Sequence, residues 1–230
     1  MRALQLTSNA DTGGVMTLAA TVAEGLAARG YTIETMSLKG GGSLPGRVLH
    51  LAGIARHILA TRPDAILGYQ PAASLFGCTA GALAGTRIRA AHQTAIPEAM
   101  RPLWRVLDRW AGTLGLYSHV VANSAATRAA FAHYPRRYRA RIVEIAHGVA
   151  PLPGPSGTRD WRADRGIGRE SLVLVATGRL TDQKNHRLAV TALARLPDAH
   201  LIVAGDGPEL RALMRLARRL GVAHRLHLVG

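Results

Sequence analysis

A chain of 230 residues with 48 % hydrophobic content can bury one large core or two smaller ones. Its single cysteine, Cys78, excludes an intramolecular disulfide and a cysteine-clustered zinc site, and makes the cytoplasm the expected compartment. A net charge of +15 implies anionic partners and leaves nucleic acid, an acidic lipid surface and phosphorylated metabolites open.

The N-terminus enters a strand pattern at residues 3–7 without a long apolar signal core before it. The loop SNADTGG follows, then a helix with Val15, Leu18, Ala19, Val22 and Leu26 on one face. Gly13 and Gly14 therefore fall at a helix N-terminus, where they either form a turn or let a ligand approach the backbone closely. A second strand at residues 31–38 leads to the loop KGGGSLPG, which lacks the GKS or GKT ending of a triphosphate-binding loop.

Residues 47–60 read as a helix with Val48, Leu51, Ala55, Ile58 and Leu59 on its buried face. The uncharged stretch 65–85 is long enough for a membrane span, but Tyr69, Gln70, Pro71, Ser74 and four glycines favour a buried strand and an Ala/Gly-rich helix. A fourth strand, 87–91, ends at His92, the usual position for a functional side chain in such a sheet. In the predicted helix 98–114, the stripe Leu103, Trp104, Leu107, Trp110, Ala111 and Leu114 reads as core, and Arg101, Arg105 and Arg109 as a solvated face. Contact with acidic lipid is the alternative. A strand at 119–122, a helix capped by Asn123 or Ser124, and a strand at 141–145 complete this half. Arg136, Arg137, Arg139 and Arg141 come with no recognition motif, so no specific nucleic acid partner is expected.

Residues 1–150 read as one domain, the Pro- and Gly-rich residues 151–170 as a linker, and residues 171–230 as a second domain with three strands. Its first strand, 171–176, is charge-free and predicted to be buried on both faces. It ends at Thr177-Gly178, followed by Arg179 and Lys184, two cations at a strand's carboxyl end, where an open α/β sheet receives its ligand. The ligand should be anionic. With 27 Arg and two Lys in the chain, an ammonium at position 184 stands out, since it suits a phosphate oxygen differently from a planar guanidinium. Asn185 is predicted to cap a helix with Leu188, Ala192, Leu193 and Leu196 on one face. A strand at 199–204, a helix at 208–220 beginning on Pro208, and a strand at 225–229 follow. GDGPEL lacks the third glycine of a dinucleotide fingerprint, Leu210 standing in its place. No Asp-x-Asp, HExxH or cysteine pair occurs, so neither a metal nor a cofactor is expected.

The ordered set of a Gly-Gly loop after the first strand, VVANSAATRAAF, AHGV, GRLTDQKN and LIVAGDGPEL resembles the glycogen-synthase-like retaining glycosyltransferases. The resemblance implies an α/β chain of the GT-B type, with two Rossmann-like domains of mostly parallel sheets, the first on the acceptor side. It implies that Arg179 and Lys184 grip the diphosphate of a nucleotide-sugar donor, that Gly14, with Gly13, approaches the donor phosphates, and that His92 lies near the transferred sugar. The implied acceptor is a glycan or a lipid-linked sugar, at the cytoplasmic face of the membrane. A GT-B sugar epimerase, and a basic module that binds anionic lipid or nucleic acid, are the alternatives. The family's base-contacting loop and paired-glutamate motif do not occur in these residues, so the second domain is expected to be incomplete and the chain inactive alone.

Overall fold

The computed structural model describes residues 1–8, 13–148 and 160–230, and the chain divides into two compact units, Met1–Ala150 and Pro151–Gly230. Residues 9–12 of the SNADTGG loop and 151–159 of the expected linker lie outside the described residues.

Unit 1 alternates short apolar strands with helices: β1 (Arg2–Thr7), α1 (Gly14–Ala27), β2 (Thr32–Ser37), α2 (Leu44–Thr61), β3 (Ala65–Tyr69), α3 (Pro71–Leu83), β4 (Ile88–Gln93), α4 (Pro102–Leu114), β5 (His119–Ala122), α5 (Ala125–Ala130), α6 (Arg136–Arg139) and β6 (Ile142–Glu144). Each helix carries the chain back so that the next strand pairs in parallel, and the sheet order is β2-β1-β3-β4-β5-β6. Leu4, Leu6 and Ile66 pack with Ile54 and Ile58 of α2 and Ala73 of α3. A second cluster gathers Cys78, Ala91, Ala111, Tyr117, Phe131 and Tyr138. Burial pushes the Cys78 thiol up to about 12, so it is a packed, unreactive group.

Several helix boundaries and faces differ from the sequence reading. Helix α2 starts at Leu44, three residues before the predicted start, because Ser43 Oγ accepts the Gly46 N–H at 3.3 Å and Pro45 occupies the first turn. Its buried side is Ile54 and Ile58, whereas Val48 and Leu59 face solvent. The helix predicted from residue 98 begins instead at Pro102, after a separate 3₁₀ turn at Pro97–Ala99. Ser124 caps α5 by accepting the Thr127 N–H at 3.1 Å, and Asn123 Oδ1 accepts the Thr127 hydroxyl at 2.6 Å.

Helix α4 is rotated from the expected orientation: of the predicted stripe Ala111 is buried and Trp104 and Leu107 are half-buried, while Arg101 and Arg109 face solvent as expected. Its buried residues are Asp108, Ala111 and Gly112, while Leu103, Trp110 and Leu114 are 65 %, 57 % and 71 % exposed. The reason is polar: Asp108 accepts a hydrogen bond from Gln93 Nε2 and another from the Tyr138 hydroxyl, each at 2.8 Å. Gly112 completes the lock, since a Cβ there would stand 2.2 Å from the Tyr138 ring.

Unit 2 comprises β7 (Leu172–Thr177), α7 (His186–Leu193), β8 (Ala199–Ala204), α8 (Leu210–Arg219) and β9 (Leu226–Leu228), paired in parallel in the order β7-β8-β9. Both helices bury their apolar sides against Leu174, Leu201 and Val203. The opposite face carries Val173, Val175, His200, Ile202 and His227, with Val175 66 % exposed. Strand β7 is thus not buried on both faces; it is an edge strand whose outer valine meets solvent. On the same face His200 Nδ1 and His227 Nε2 stand 3.0 Å apart.

Three further details of unit 2 correct the sequence reading. Asn185 precedes α7 in a left-handed conformation, φ 48°, and its side chain makes no capping bond. The buried side of α7 is His186, Val190 and Leu193, whereas Leu188 is exposed. Helix α8 begins at Leu210, leaving Pro208 in the preceding turn. Of the expected linker, residues 160–170 are tied to the start of β7. Asp160 Oδ1 accepts the Arg162 and Ala163 N–H groups, and the Arg162 guanidinium donates to the carbonyls of Gly168 and Ser171 at 3.0 and 2.8 Å.

Candidate functional site

In unit 2 the carboxyl ends of β7 and β8 run on as two loops joined by their backbones. The Gly178 N–H donates to the Ala204 carbonyl, the Leu180 N–H to the Asp206 carbonyl and the Glu209 N–H to the Leu180 carbonyl, all within 2.9–3.0 Å. This pairing extends the parallel ladder past the sheet. It requires Gly205, because a Cβ there would lie 2.0 Å from the Gly178 carbonyl oxygen. The segment GDGPEL, which fails as a dinucleotide fingerprint, thus has a packing task that the spacing of its glycines did not reveal.

Arg179 and Lys184 flank this junction. A 3₁₀ turn at Asp182–Lys184 reverses the chain, so the aliphatic part of Lys184 lies over Gly178, its Cε 3.6 Å from where a Cβ would stand. Both cations are exposed, and among the described residues neither side chain has a hydrogen-bond or ion-pair partner. The neighbouring Asp206 turns its Oδ1 onto the Gly207 N–H at 2.7 Å. Two unpaired cations at the end of a parallel strand make a surface suited to a phosphate-bearing ligand.

Unit 1 has its own polar floor at the carboxyl edge. Thr7, Tyr69 and His92 are register partners on β1, β3 and β4, so their side chains line up across three strands on one face. The Tyr69 and His92 rings lie with their centroids 4.5 Å apart, tilted by 34°. Gln5 Nε2 and Oε1, Thr7 Oγ1, the Tyr69 hydroxyl oxygen and His92 Nδ1 are buried without a partner among the described residues. Buried polar atoms demand partners at roughly 1–3 kcal/mol each, so this row is where unit 1 would receive water or a polar ligand. Burial, with a smaller contribution from His147, pushes the His92 imidazole down to about 4. His92 is therefore a neutral donor and acceptor near pH 7 rather than a cation. Burial also raises the Tyr69 phenol, which keeps its proton.

Gly13 and Gly14 open α1 after β1. Gly13 is extended, and among the described residues no side chain caps the turn and a Cβ at either position would meet nothing within 4 Å. The first turn of the helix thus presents bare backbone. The structure groups His92 with Tyr69 and Thr7, sets Gly13 and Gly14 at the helix after β1, and carries Arg179 and Lys184 on unit 2. Gln5, Thr7 and Tyr69 escaped the sequence reading. Their signal was a polar atom on an inward strand position, which becomes visible only when strands are paired. Among the described residues no three His, Cys, Asp or Glu side chains form a group that could hold a metal ion, and no helix is long and apolar enough to cross a membrane.

Residues 157–230 match the family model described as Glycosyl transferases group 1. A stretch of 58 residues is 38 % identical to the lipopolysaccharide core biosynthesis glycosyltransferase LpsE of Rhizobium meliloti, covering 25 % of this chain and 17 % of that protein. A stretch of 96 residues is 28 % identical to an uncharacterised glycosyltransferase of Methanocaldococcus jannaschii, covering 40 % of this chain and 24 % of that one. The matched stretches therefore span less than a quarter of these relatives' lengths. Among solved structures, Anabaena HepE in complex with UDP and glucose superposes with a TM-score of 0.80 at 23 % identity, covering all of this chain and 69 % of that one. Sucrose-phosphate synthase from Thermosynechococcus elongatus gives 0.72 at 15 % identity, covering all of this chain and 70 % of that one. The fold is that of the GT-B glycosyltransferases, an α/β architecture with two Rossmann-like units.

Proposed function

We propose that the chain serves a metal-independent, retaining transfer of a hexose from a nucleotide-diphospho-sugar to a glycan or lipid-linked acceptor, as in the glycogen-synthase-like branch of the GT-B enzymes. The observation that carries this reading is the pair of exposed, unpartnered cations, Arg179 and Lys184, at the carboxyl end of β7, inside the segment that matches the Glycosyl transferases group 1 model. In this reading the two cations hold the diphosphate and stabilise the negative charge that grows on it as the glycosidic bond breaks. Gly13 and Gly14 let the donor phosphates approach the α1 backbone. Neutral His92, held by the Tyr69 ring, hydrogen-bonds the transferred sugar without repelling the positive charge of an oxocarbenium-like transition state. Unit 1 takes the acceptor side. Solved neighbours in complex with UDP and with UDP-glucose make UDP the first ligand to try. The single buried thiol supports a cytoplasmic setting.

The test is calorimetric titration of UDP into the chain and into Arg179→Ala and Lys184→Ala. Each lost charge-assisted contact should weaken binding by roughly 1.5–3 kcal/mol, about tenfold to over a hundredfold, with thermal stability unchanged. Equal affinity in all three proteins would remove the basis of the assignment. Release of radiolabelled sugar that requires an added acceptor would separate transfer from epimerisation.

A further inference from the structure

Helix α8 turns a row of arginines to solvent. Arg211, Arg215 and Arg218 follow one another at steps of four and three residues, so they share one face over about 10 Å of helix. Arg219 adds a fourth guanidinium beside them. All four residues are exposed, and among the described residues none of their side chains has a hydrogen-bond or ion-pair partner. The row points outward because Leu213 and Ala217 hold the opposite side of the helix in the core of unit 2.

Such a row works against the helix that carries it. Like charges three and four residues apart are destabilising, and the first turn of α8 has no acid to offset them. Only Arg218 and Arg219, in the last turn, gain from the helix dipole. The two carboxylates just before the helix are engaged elsewhere: Glu209 turns towards Arg187 at 3.9 Å, and Asp206 Oδ1 accepts the Gly207 N–H at 2.7 Å. Arg225 is not part of the row, since its guanidinium donates to the Leu196 and Ala199 carbonyls.

On one side the row borders an open groove of about 700 Å³ between α8 and β9. Leu210, Met214, Leu226 and Leu228 line it, together with Arg218 and Asp206. Met214 is 40 % exposed there.

This arrangement discriminates among anionic partners. A helix lying in a headgroup boundary buries an apolar face in the lipid, whereas the outer face of α8 has arginines at its centre and apolar residues to one side. Single-stranded nucleic acid stacks its bases on aromatic side chains, and among the described residues neither α8 nor the groove holds one. A second copy of this chain, at a net charge of +15, brings the wrong sign. An amphipathic helix with carboxylates three and four residues apart matches both parts. Its acids meet Arg211, Arg215 and Arg218, and a neighbouring apolar side chain enters the groove, where the unbranched Met214 adapts to its shape.

We propose that the arginine row of α8 and the groove beside it dock an acidic amphipathic helix of a partner protein. This goes beyond the transfer reading and is measured without nucleotide. The probe is a labelled synthetic peptide with Glu at helical three- and four-residue spacing and Leu on the adjoining face, followed by fluorescence anisotropy. The whole chain should bind it at least about fivefold more tightly than a scrambled peptide of the same composition. Arg211→Gln combined with Arg215→Gln and Arg218→Gln alters only exposed side chains, so circular dichroism and melting temperature should hold or improve. Its affinity for the patterned peptide should fall at least about tenfold. Arg56→Gln combined with Arg101→Gln and Arg128→Gln removes the same charge from exposed positions of unit 1 and should stay within about twofold of wild type.

Four outcomes would overturn the proposal. The first is absence of binding to the patterned peptide. The second is equal affinity for the scrambled one, which would leave the groove without a task. The third is an equal loss in the two triple variants, which would reduce the binding to diffuse charge attraction. The fourth is tighter binding of an oligonucleotide or of anionic vesicles than of the peptide, lost in the α8 variant, which would give the row to nucleic acid or to lipid.

Discussion

Each unit ends a parallel strand in a glycine-bearing loop, β1 in unit 1 and β8 in unit 2, and the two loops use glycine in opposite ways. In unit 1, a methyl group at Gly13 or Gly14 would touch nothing among the described residues. In unit 2, Gly205 faces the carbonyl of Gly178 at a distance no methyl group could occupy. Glycine after a parallel strand therefore has two meanings. It either clears a path for a visitor or lets two stretches of the protein's own backbone touch, and only the three-dimensional neighbour tells which.

The sharpest way to break this contrast is to add the methyl group in both places. Gly205→Ala should cost unit 2 more than about 3 kcal/mol, from overpacking and from a φ of 149° that alanine avoids. Hydrogen exchange should then show protection lost across β7, β8 and β9 with β1–β5 unchanged. The wild-type baseline should already differ, since the three-stranded sheet has an exposed edge and a partly open face, and should exchange faster than the six-stranded one. Loss of protection in both units at once would mean that they unfold as one.

A middle-sized effect separates the polar floor of unit 1 from the rest. His92 is held at about 4 against an ordinary 6.5. Above the ordinary value both the folded and unfolded forms are neutral and nothing is lost. As pH falls from about 6.5 towards 4, the unfolded chain takes up a proton that the folded site resists. Stability should drop by on the order of 3 kcal/mol. His92→Asn should flatten that part of the profile, as read by denaturant unfolding at pH 7 and pH 4.5. An identical slope in both proteins would show that the imidazole is not held neutral by the fold.

The smallest effect is the counterpart of the first. Gly14→Ala should leave stability within about 1 kcal/mol of wild type, or improve it, because alanine favours a first helical turn and meets no neighbour among the described residues. If the open backbone serves ligand approach, the same variant should weaken UDP binding while melting normally. A large loss of stability would show that the space is not open.

Strand positions were legible in the sequence because a parallel strand is a short, charge-free run, and β3, β5 and β8 are such runs. What the runs could not say was whether anything covers them. Val173 and Val175 look the same whether a helix lies over them or solvent does, hence the misjudged burial of β7. Helix α4 failed for a related reason. Its apolar stripe was visible at residues 103, 107, 110 and 114, but periodicity gives the direction of a stripe and not what faces it. The deciding groups, Gln93 and Tyr138, lie 15 and 30 residues from Asp108 in the chain. On the candidate site, Arg179 and Lys184 were legible because a lysine is rare in this composition and a strand end is readable. The row of Gln5, Thr7 and Tyr69 was not, because it exists only across three paired strands.

The contact between Gly178 and Gly205 has a consequence for anyone who would redesign this protein. The two loops take their spacing from the hydrogen-bonded ladder, while the side chain of Leu180, fully buried with Val190, Leu193 and Leu213, ties the first of them to the hydrophobic layer beneath. Changes to Leu180 or to the side chains packed on it should therefore reach Arg179 directly, through one peptide bond. The rim that carries Arg179 and Lys184 and the interior of unit 2 thus meet at one side chain, so libraries that vary the interior should hold Leu180 fixed if the rim is to keep its geometry.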